Sequence, residues 1–141
     1  MTNLLISDIV STMQYQTINH QVYLINYHLI WCPKRRKKVL INEIKNRLNI
    51  IIHEVAKEKQ VDILALEIMP DHIHLFISCY PQLVIHKLVK AFKGRSSNIL
   101  RKEFPELLKL PSLWTRSYFI STAGNISNQT IQKYIEAQSK Q

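Results

Sequence analysis

Two histidines near the middle of the chain have the spacing needed to bind one metal ion. His72 and His74 are two residues apart in the segment 72–79, which is rich in residues that favour β-strands. Side chains alternate between the two faces of a strand, so both imidazoles should lie on one face and Ile73 on the other. Two ring nitrogens could then bind the same cation. The competing interpretation is structural, with one histidine at a hairpin turn and the other packed against the sheet.

A tyrosine and a glutamine lie one helical turn apart near the C-terminus. Tyr134 and Gln138 are spaced i, i+4 in a segment with helical periodicity, which places the two side chains about 5 to 6 Å apart on one face. If this helix packs on the histidine face, Gln138 can complete a metal site and Tyr134 can direct its hydroxyl at whatever the metal binds. The alternative is an ordinary amphipathic helix with Tyr134 beside the apolar stripe of Ile131 and Ile135.

Strand and helix signals alternate along the chain and predict how these residues are positioned. Strands are predicted at 22–31, 61–69, 72–79 and 113–121, and helices begin at Asn42, at Leu83 and after Ser127. The order βαββαβα is that of an α+β, ferredoxin-like (RRM-like) fold. It comprises a βαββαβ antiparallel sheet with two helices on one face, followed by a C-terminal helix that includes Tyr134. Because such sheets host many unrelated functions, the function must be inferred from the site.

The helix signals also predict which residues face the core. Asn42 can cap the first helix, whereas Gly94 is a potential interruption of the second, at 83–103. A turn at 124–125 precedes the last helix, which Ser127 can cap. The residues predicted to face inward are Ile44, Leu48, Ile51, Ile52 and Val55 in the first helix, and Val84, Leu88, Ala91, Phe92 and Ile99 in the second.

Length and composition indicate one globular domain. The chain has 141 residues, of which 46% are hydrophobic and 21% charged, so we expect a single domain over 21–141 preceded by a polar N-terminal arm at 1–20. Cys32 and Cys79 form no metal-binding or disulfide pattern and are expected to be free thiols. No segment has the length and hydropathy of a signal peptide or a membrane span, which predicts a soluble, cytoplasmic protein without membrane contact.

The net charge of +9 and a pI near 9.7 favour a polyanionic partner, with nucleic acid first among them. No acidic residue lies between Asp71 and Glu103, and a second basic block follows the first predicted strand. Trp31, Tyr80 and Trp114 are expected in the core or the sheet and not as stacking platforms for bases. The predicted DNA contacts are Lys34, Arg35, Arg36, Lys87, Lys90, Lys93 and Arg95.

Three segments together resemble one known protein family. The segments MPDHIHLFI at 69–77, LWTRSYF at 113–119 and IQKYIEAQ at 131–138 resemble those of the single-tyrosine HUH transposases of small bacterial and archaeal insertion sequences. The resemblance covers roughly 21–138. It implies an enzyme that nicks and rejoins hairpin-bearing single-stranded DNA at the element ends through a 5′-phosphotyrosine.

The same resemblance implies a role for each residue of the site. Tyr134 would be the nucleophile, and His72, His74 and Gln138 would be ligands of a divalent metal. Imidazole ligands suit Mn²⁺, whereas Mg²⁺ would bind with several retained waters. The resemblance further implies a homodimer in which the tyrosine helix can serve the histidines of the partner.

Three other hypotheses compete with this one, and the sequence argues against the last of them. A ferredoxin-like protein could bind nucleic acid without cutting it, although the RNP pattern of RNA-binding sheets is absent. The chain could also be an inactive transposase copy. A two-histidine phosphoesterase would need two H-x-[ST] strands, and the sequence has no such motif.

Overall fold

A four-stranded antiparallel sheet forms the centre of the molecule. The computed structural model describes residues 24–122 and 128–140. Its strands are β1 (Ile25–Trp31), β2 (Asp62–Met69), β3 (His72–Cys79) and β4 (Phe119–Ser121), arranged in the order β2-β3-β1-β4. All three neighbouring pairs are antiparallel, which confirms the predicted ferredoxin-like plan.

Three helices and three short 3-10 turns complete the described elements. The helices are α1 (Asn42–Glu58), α2 (Ile85–Glu103) and α3 (Asn128–Ala137), and the 3-10 turns are Lys34–Arg36, Pro105–Lys109 and Gln138–Lys140. The predicted order of strands and helices is therefore confirmed. None of the described helices is both long and apolar enough to cross a membrane.

The main core lies between one face of the sheet and the two helices α1 and α2. The apolar stripe predicted for α1 is buried throughout. It packs with sheet residues that alternate along β1 and β3, where Leu29, Trp31, Ile73, Leu75 and Ile77 are fully buried. Each such large apolar side chain stabilises the fold by about 1.5 to 3 kcal/mol relative to its exposed state. Trp114 packs edge-on against Trp31, as expected for core residues.

The last strand is shorter than the sequence predicts. A strand was predicted at 113–121, but only Phe119–Ser121 pairs with β1, apart from an isolated bridge between Pro33 and Trp114. The ammonium of Lys93 accounts for part of the difference, since it donates to the carbonyls of residues 115–117. Those carbonyls bind a side chain and do not extend the β-ladder.

Two helix starts differ from the prediction. Ile41, and not Asn42, occupies the N-cap position of α1, and the helix has no side-chain capping hydrogen bond there. The backbone of Asn42, the first residue of the helix, is left-handed with φ of 53°. The second helix begins at Ile85, and the side chain of Val84 before it is 53% exposed, so its predicted place in the core was wrong. Both cysteines are free, as predicted, and both are buried. The predicted arm at 1–20 and the residues predicted for the turn and cap at 124–127 lie outside the described residues.

Gly94 does not interrupt α2, and this position offers a test of the helix. A β-carbon built at Gly94 meets nothing within 4 Å, and alanine is the better helix former by about 1 kcal/mol. We therefore expect Gly94→Ala to raise the free energy of unfolding by about 0.5 to 1 kcal/mol, as measured by urea denaturation. A clear loss of stability would contradict the continuous, unstrained helix described for this segment.

Candidate active site

The sheet face opposite α1 and α2 contains the two histidines predicted to act together. His72 and His74 alternate with the buried Ile73 along β3, so their rings share this face, with centroids 4.9 Å apart and planes at 79°. In the β1–β3 register, His74 is opposite Ile30 and Phe76 is opposite His28. A third histidine therefore reaches the same patch from the neighbouring strand.

His72 is held by the turn that precedes its strand. Its Nδ1 lies 2.8 Å from Oδ1 of Asp71, whose Oδ2 is 3.2 Å from Nε of Arg36. A carboxylate only accepts hydrogen bonds, so Nδ1 of His72 is the donor. In the neutral ring this leaves the lone pair on Nε2 free to bind a metal. A carboxylate that orients a histidine in this way is a common feature of metal sites.

His74 is held by His28, a residue that sequence reasoning did not identify. The Nε2 of His28 lies 3.0 Å from Nδ1 of His74. Burial, together with the charge of His74, lowers the pKa of His28 to about 4. Burial and the neighbouring His72 also lower the pKa of His74. Alternation within β1 places His28 and Ile30 on one face, but only the pairing of β1 with β3 places His28 beside His74.

Tyr134 and Gln138 form a second polar group with Ser117. The hydroxyl of Ser117 donates to Oε1 of Gln138 at 2.8 Å and lies 3.2 Å from the hydroxyl of Tyr134. Because Ser117 has a single proton, Tyr134 must donate to Ser117 in this arrangement. Nε2 of Gln138 donates to the backbone carbonyl of Tyr134 at 3.0 Å. Burial raises the pKa of Tyr134 to about 12, against the opposing effect of the Ser117 hydrogen bond, so the hydroxyl is protonated at neutral pH.

The helix α3 packs on the same sheet face as the histidines. Ile135 is buried against Ile30 and Cys32, with Phe119 and Tyr134 packed around them. Ile30 pairs with His74 on one side and with Phe119 on the other. Strands are about 4.8 Å apart, so the backbones of His74 and Phe119 are separated by roughly 10 Å. The hydrogen bonds of the described residues connect each polar group internally, and none of them joins the histidines to Tyr134 or Gln138.

The donor set fits an open metal site better than a closed one. Within residues 24–122 and 128–140, no group of three or more His, Cys, Asp or Glu side chains is arranged to hold a metal ion. His72 and His74 nevertheless present two oriented nitrogens, which matches the partial ligand set of a site that keeps free coordination positions. Gln138 is 3% exposed and its side-chain oxygen already accepts from Ser117. To act as a third ligand, Gln138 would have to exchange that hydrogen bond.

The predicted DNA-binding residues fall into two groups. Lys87 and Lys90 are exposed on α2 and Arg35 is exposed on the first 3-10 turn, while Lys34 is half-buried. The other three bind protein groups in this structure. Arg36 pairs with Asp71, Arg95 pairs with Glu58, and Lys93 binds backbone carbonyls. For all seven, DNA contact stays a prediction.

Lys93 fixes the segment that contains Ser117, and we expect its removal to destabilise the protein. Its ammonium lies 2.7 Å from the carbonyl oxygen of Thr115, 3.3 Å from that of Arg116 and 3.0 Å from that of Ser117. Burial lowers the pKa of Lys93 to about 8, so the group is still largely charged at pH 7. Lys93→Met should lower the free energy of unfolding by about 1 to 3 kcal/mol, because partly buried carbonyl oxygens lose their charged donor.

Urea denaturation measures this effect, and Lys90→Met is the matched control. Lys90 is exposed and lies one turn earlier on the same helix, so its replacement should change stability by less than about 0.5 kcal/mol. Equal changes in the free energy of unfolding for the two substitutions would show that the carbonyl contacts of Lys93 do not stabilise the fold.

Comparison with known proteins gives concordant matches over most of the chain. The protein family described as "Transposase IS200 like" matches residues 21–138. The ISDra2 transposase TnpA of Deinococcus radiodurans is 40% identical over 120 residues, which cover 83% of this chain and 86% of that protein. The transposase for insertion sequence element IS200 of Salmonella typhimurium is 28% identical over 126 residues, which cover 87% and 82% respectively.

Two solved structures extend the comparison to the fold. A crystal structure of a protein from Deinococcus radiodurans R1 described as a transposase superposes with a TM-score of 0.80 at 39% identity, covering 86% of this chain and 96% of that one. The REP-associated tyrosine transposase, solved bound to a REP hairpin, superposes with a TM-score of 0.51 at 14% identity, covering 85% and 69%. The second likeness bears on the fold alone.

Proposed function

Because the chain belongs to the family of IS200-like transposases, we propose that it nicks and rejoins single-stranded DNA at the ends of an insertion sequence. The observation that most supports this proposal is the packing of α3 on the histidine face of the sheet. That packing brings the one helix with a candidate nucleophile to the face with two oriented imidazoles. Ile135 anchors the helix there by its burial against Ile30 and Cys32, and the same packing positions Tyr134 on this face.

Tyr134 is the proposed nucleophile. Its hydroxyl oxygen would attack the phosphorus, the bond from phosphorus to the 3′ oxygen would break, and the 3′ oxygen would leave as a hydroxyl. The proton lost by Tyr134 balances the proton gained by that hydroxyl. The resulting 5′-phosphotyrosine ester retains the energy of the broken bond, so rejoining to another 3′-hydroxyl needs no ATP. The hydroxyl is protonated at neutral pH in this structure, so attack requires it to lose its proton to solvent.

His72 and His74 are the proposed ligands of a divalent metal, Mg²⁺ or Mn²⁺, with Gln138 as a third. Asp71 and His28 orient the two imidazoles through their Nδ1 atoms, which supports a role for both Nε2 atoms as ligands. Bound there, the ion would neutralise the charge of the scissile phosphate. Ser117 would release the oxygen of Gln138 when that oxygen becomes a ligand.

The proposed substrate is single-stranded DNA with a hairpin. A protein of the same fold, the REP-associated tyrosine transposase, was solved bound to a REP hairpin. Exposed Lys87, Lys90 and Arg35 are the cations most available for phosphate contacts.

We also propose a homodimer in which α3 of one chain places its tyrosine at the histidines of the other. The separation of the two polar groups by Ile30 within one chain is consistent with such an exchange.

Incubation with DNA from the ends of the element tests the proposal. Single-stranded oligonucleotides covering the sequence on each side of the gene, labelled at either end, would be incubated with Mg²⁺ or Mn²⁺. We expect a denaturation-resistant protein–DNA adduct that retains the 3′-end label and loses the 5′-end label, and that EDTA prevents. Tight binding without an adduct in either metal would favour a non-catalytic nucleic-acid-binding protein or an inactive copy.

A further inference from the structure

A buried histidine outside the predicted site contacts one of the proposed metal ligands. His28 lies on β1, is 8% exposed, and has its Nε2 3.0 Å from Nδ1 of His74. We propose that His28 is a positioning residue. Its Nε2 accepts a hydrogen bond from the Nδ1–H of His74 and so keeps Nε2 of His74 free for the metal. This inference rests on the proposed function of His74 as a ligand.

Proton accounting at the 3.0 Å contact gives two arrangements, and only one is compatible with metal binding. If His28 donated, Nδ1 of His74 would be the acceptor and the single proton of the neutral ring would sit on Nε2. That nitrogen would have no lone pair to offer. If His74 donates from Nδ1, its Nε2 keeps the lone pair and His28 acts as the acceptor. A bound metal would select the second arrangement.

The surroundings of His28 fix the direction of its ring. The ring stacks on Phe76, with centroids 4.0 Å apart and an interplanar angle of 13°. It is also close to parallel with the ring of His74, at 24°. β1 pairs with a strand on each side, so the backbone at His28 is held from both directions. A side chain held this firmly can impose an orientation on its neighbour, as hydrogen-bond partners of metal-binding histidines commonly do.

Three substitutions separate the hydrogen bond from the packing. His28→Phe keeps a ring that can stack on Phe76 but removes the acceptor. His28→Gln retains an acceptor at a similar distance from the backbone. His53→Gln is the control, because His53 is exposed on α1 and its ring bonds the carbonyl of Asn49 in its own helix.

Binding of Mn²⁺ by the DNA-free protein provides the readout, followed by electron paramagnetic resonance. We expect His28→Phe to weaken Mn²⁺ binding about 10- to 100-fold, the usual effect of losing such a partner. His28→Gln should stay within several-fold of the unmodified protein, and His53→Gln should be unchanged. Thermal melting monitored by circular dichroism establishes that each variant is folded. If His28→Phe does not fold, His28→Leu replaces it with the same expectation.

His74→Ala separates failure of this inference from failure of the proposed metal site. If His74→Ala loses Mn²⁺ binding while the apolar variants of His28 bind normally, the positioning role is wrong and the metal site stands. If His74→Ala binds Mn²⁺ as tightly as the unmodified protein, the proposed site is wrong and the role of His28 fails with it. Equal weakening by His28→Gln and His28→Phe would also contradict the inference, since the acceptor would then be irrelevant.

Discussion

Tyr134→Phe should abolish the covalent protein–DNA adduct and reduce nicking by roughly a thousandfold or more, because it removes the atom that forms the new bond. The phenylalanine ring retains the packing of Tyr134 beside Phe119, whose ring centroid lies 5.6 Å away. The fold should lose only the hydrogen bond to Ser117, at a cost of about 1 kcal/mol. Adduct formation is measured on denaturing gels with labelled DNA.

Tyr118→Phe is the matched control for this substitution. Tyr118 adjoins Ser117 in sequence, but its ring packs against the main core on the other side of the sheet. It should therefore leave adduct formation unchanged. An adduct that persists in Tyr134→Phe at a similar level would rule out Tyr134 as the nucleophile, and loss of the adduct in both variants would point to a general loss of structure.

His72→Ala and His74→Ala should each reduce metal-dependent nicking by at least about a hundredfold while leaving DNA affinity within a few-fold. Each substitution removes one of the two oriented nitrogens on the sheet face, and the remaining donors are too few to hold the ion. The phosphate contacts that dominate DNA affinity come from lysines and arginines instead. Adduct yield as a function of Mn²⁺ concentration and DNA binding by fluorescence anisotropy measure the two effects separately.

His86→Ala is the control for general effects of removing a histidine, because His86 is exposed on α2. It should nick DNA normally. If His72→Ala and His74→Ala retained full metal-dependent activity, the two histidines would have only a structural role and would not be metal ligands. Loss of DNA binding in parallel with nicking would instead indicate that the histidines support the DNA-binding surface.

The fold could be predicted from the sequence where apolar residues repeat with a clear period. The α1 stripe from Ile44 to Val55 and the alternating residues of β3 are buried as their spacing requires. Predictions failed where tertiary contacts override local preference. The segment before β4 has strand-forming residues, yet Lys93 binds its carbonyls from another element. Val84 fits the helical period, but the helix begins one residue after it.

The site could be predicted only in part for a related reason. The i, i+2 spacing of His72 and His74 and the i, i+4 spacing of Tyr134 and Gln138 are local, and the structure places each pair together. His28 and Ser117 contact these residues from positions 46 and 21 residues away. The first contact crosses the pairing of β1 with β3 and the second joins the segment before β4 to the end of α3, and no local pattern encodes either one. The sequence indicated that His28 and Ile30 lie on the same face of β1, because they are two residues apart. Only the β1–β3 register shows that this face places His28 beside His74.

Mass spectrometry of the adduct tests the central claim most directly. The protein would be trapped with labelled single-stranded DNA, digested with nuclease and trypsin, and the modified peptide sequenced by fragmentation. Trypsin cleaves after Arg116, Lys133 and Lys140, so Tyr134 lies in a peptide spanning 134–140, or 117–140 if one cleavage is missed. We predict a nucleotide attached through its 5′-phosphate to Tyr134. A nucleotide on any other residue, or a trapped complex without a covalent nucleotide, would contradict the account.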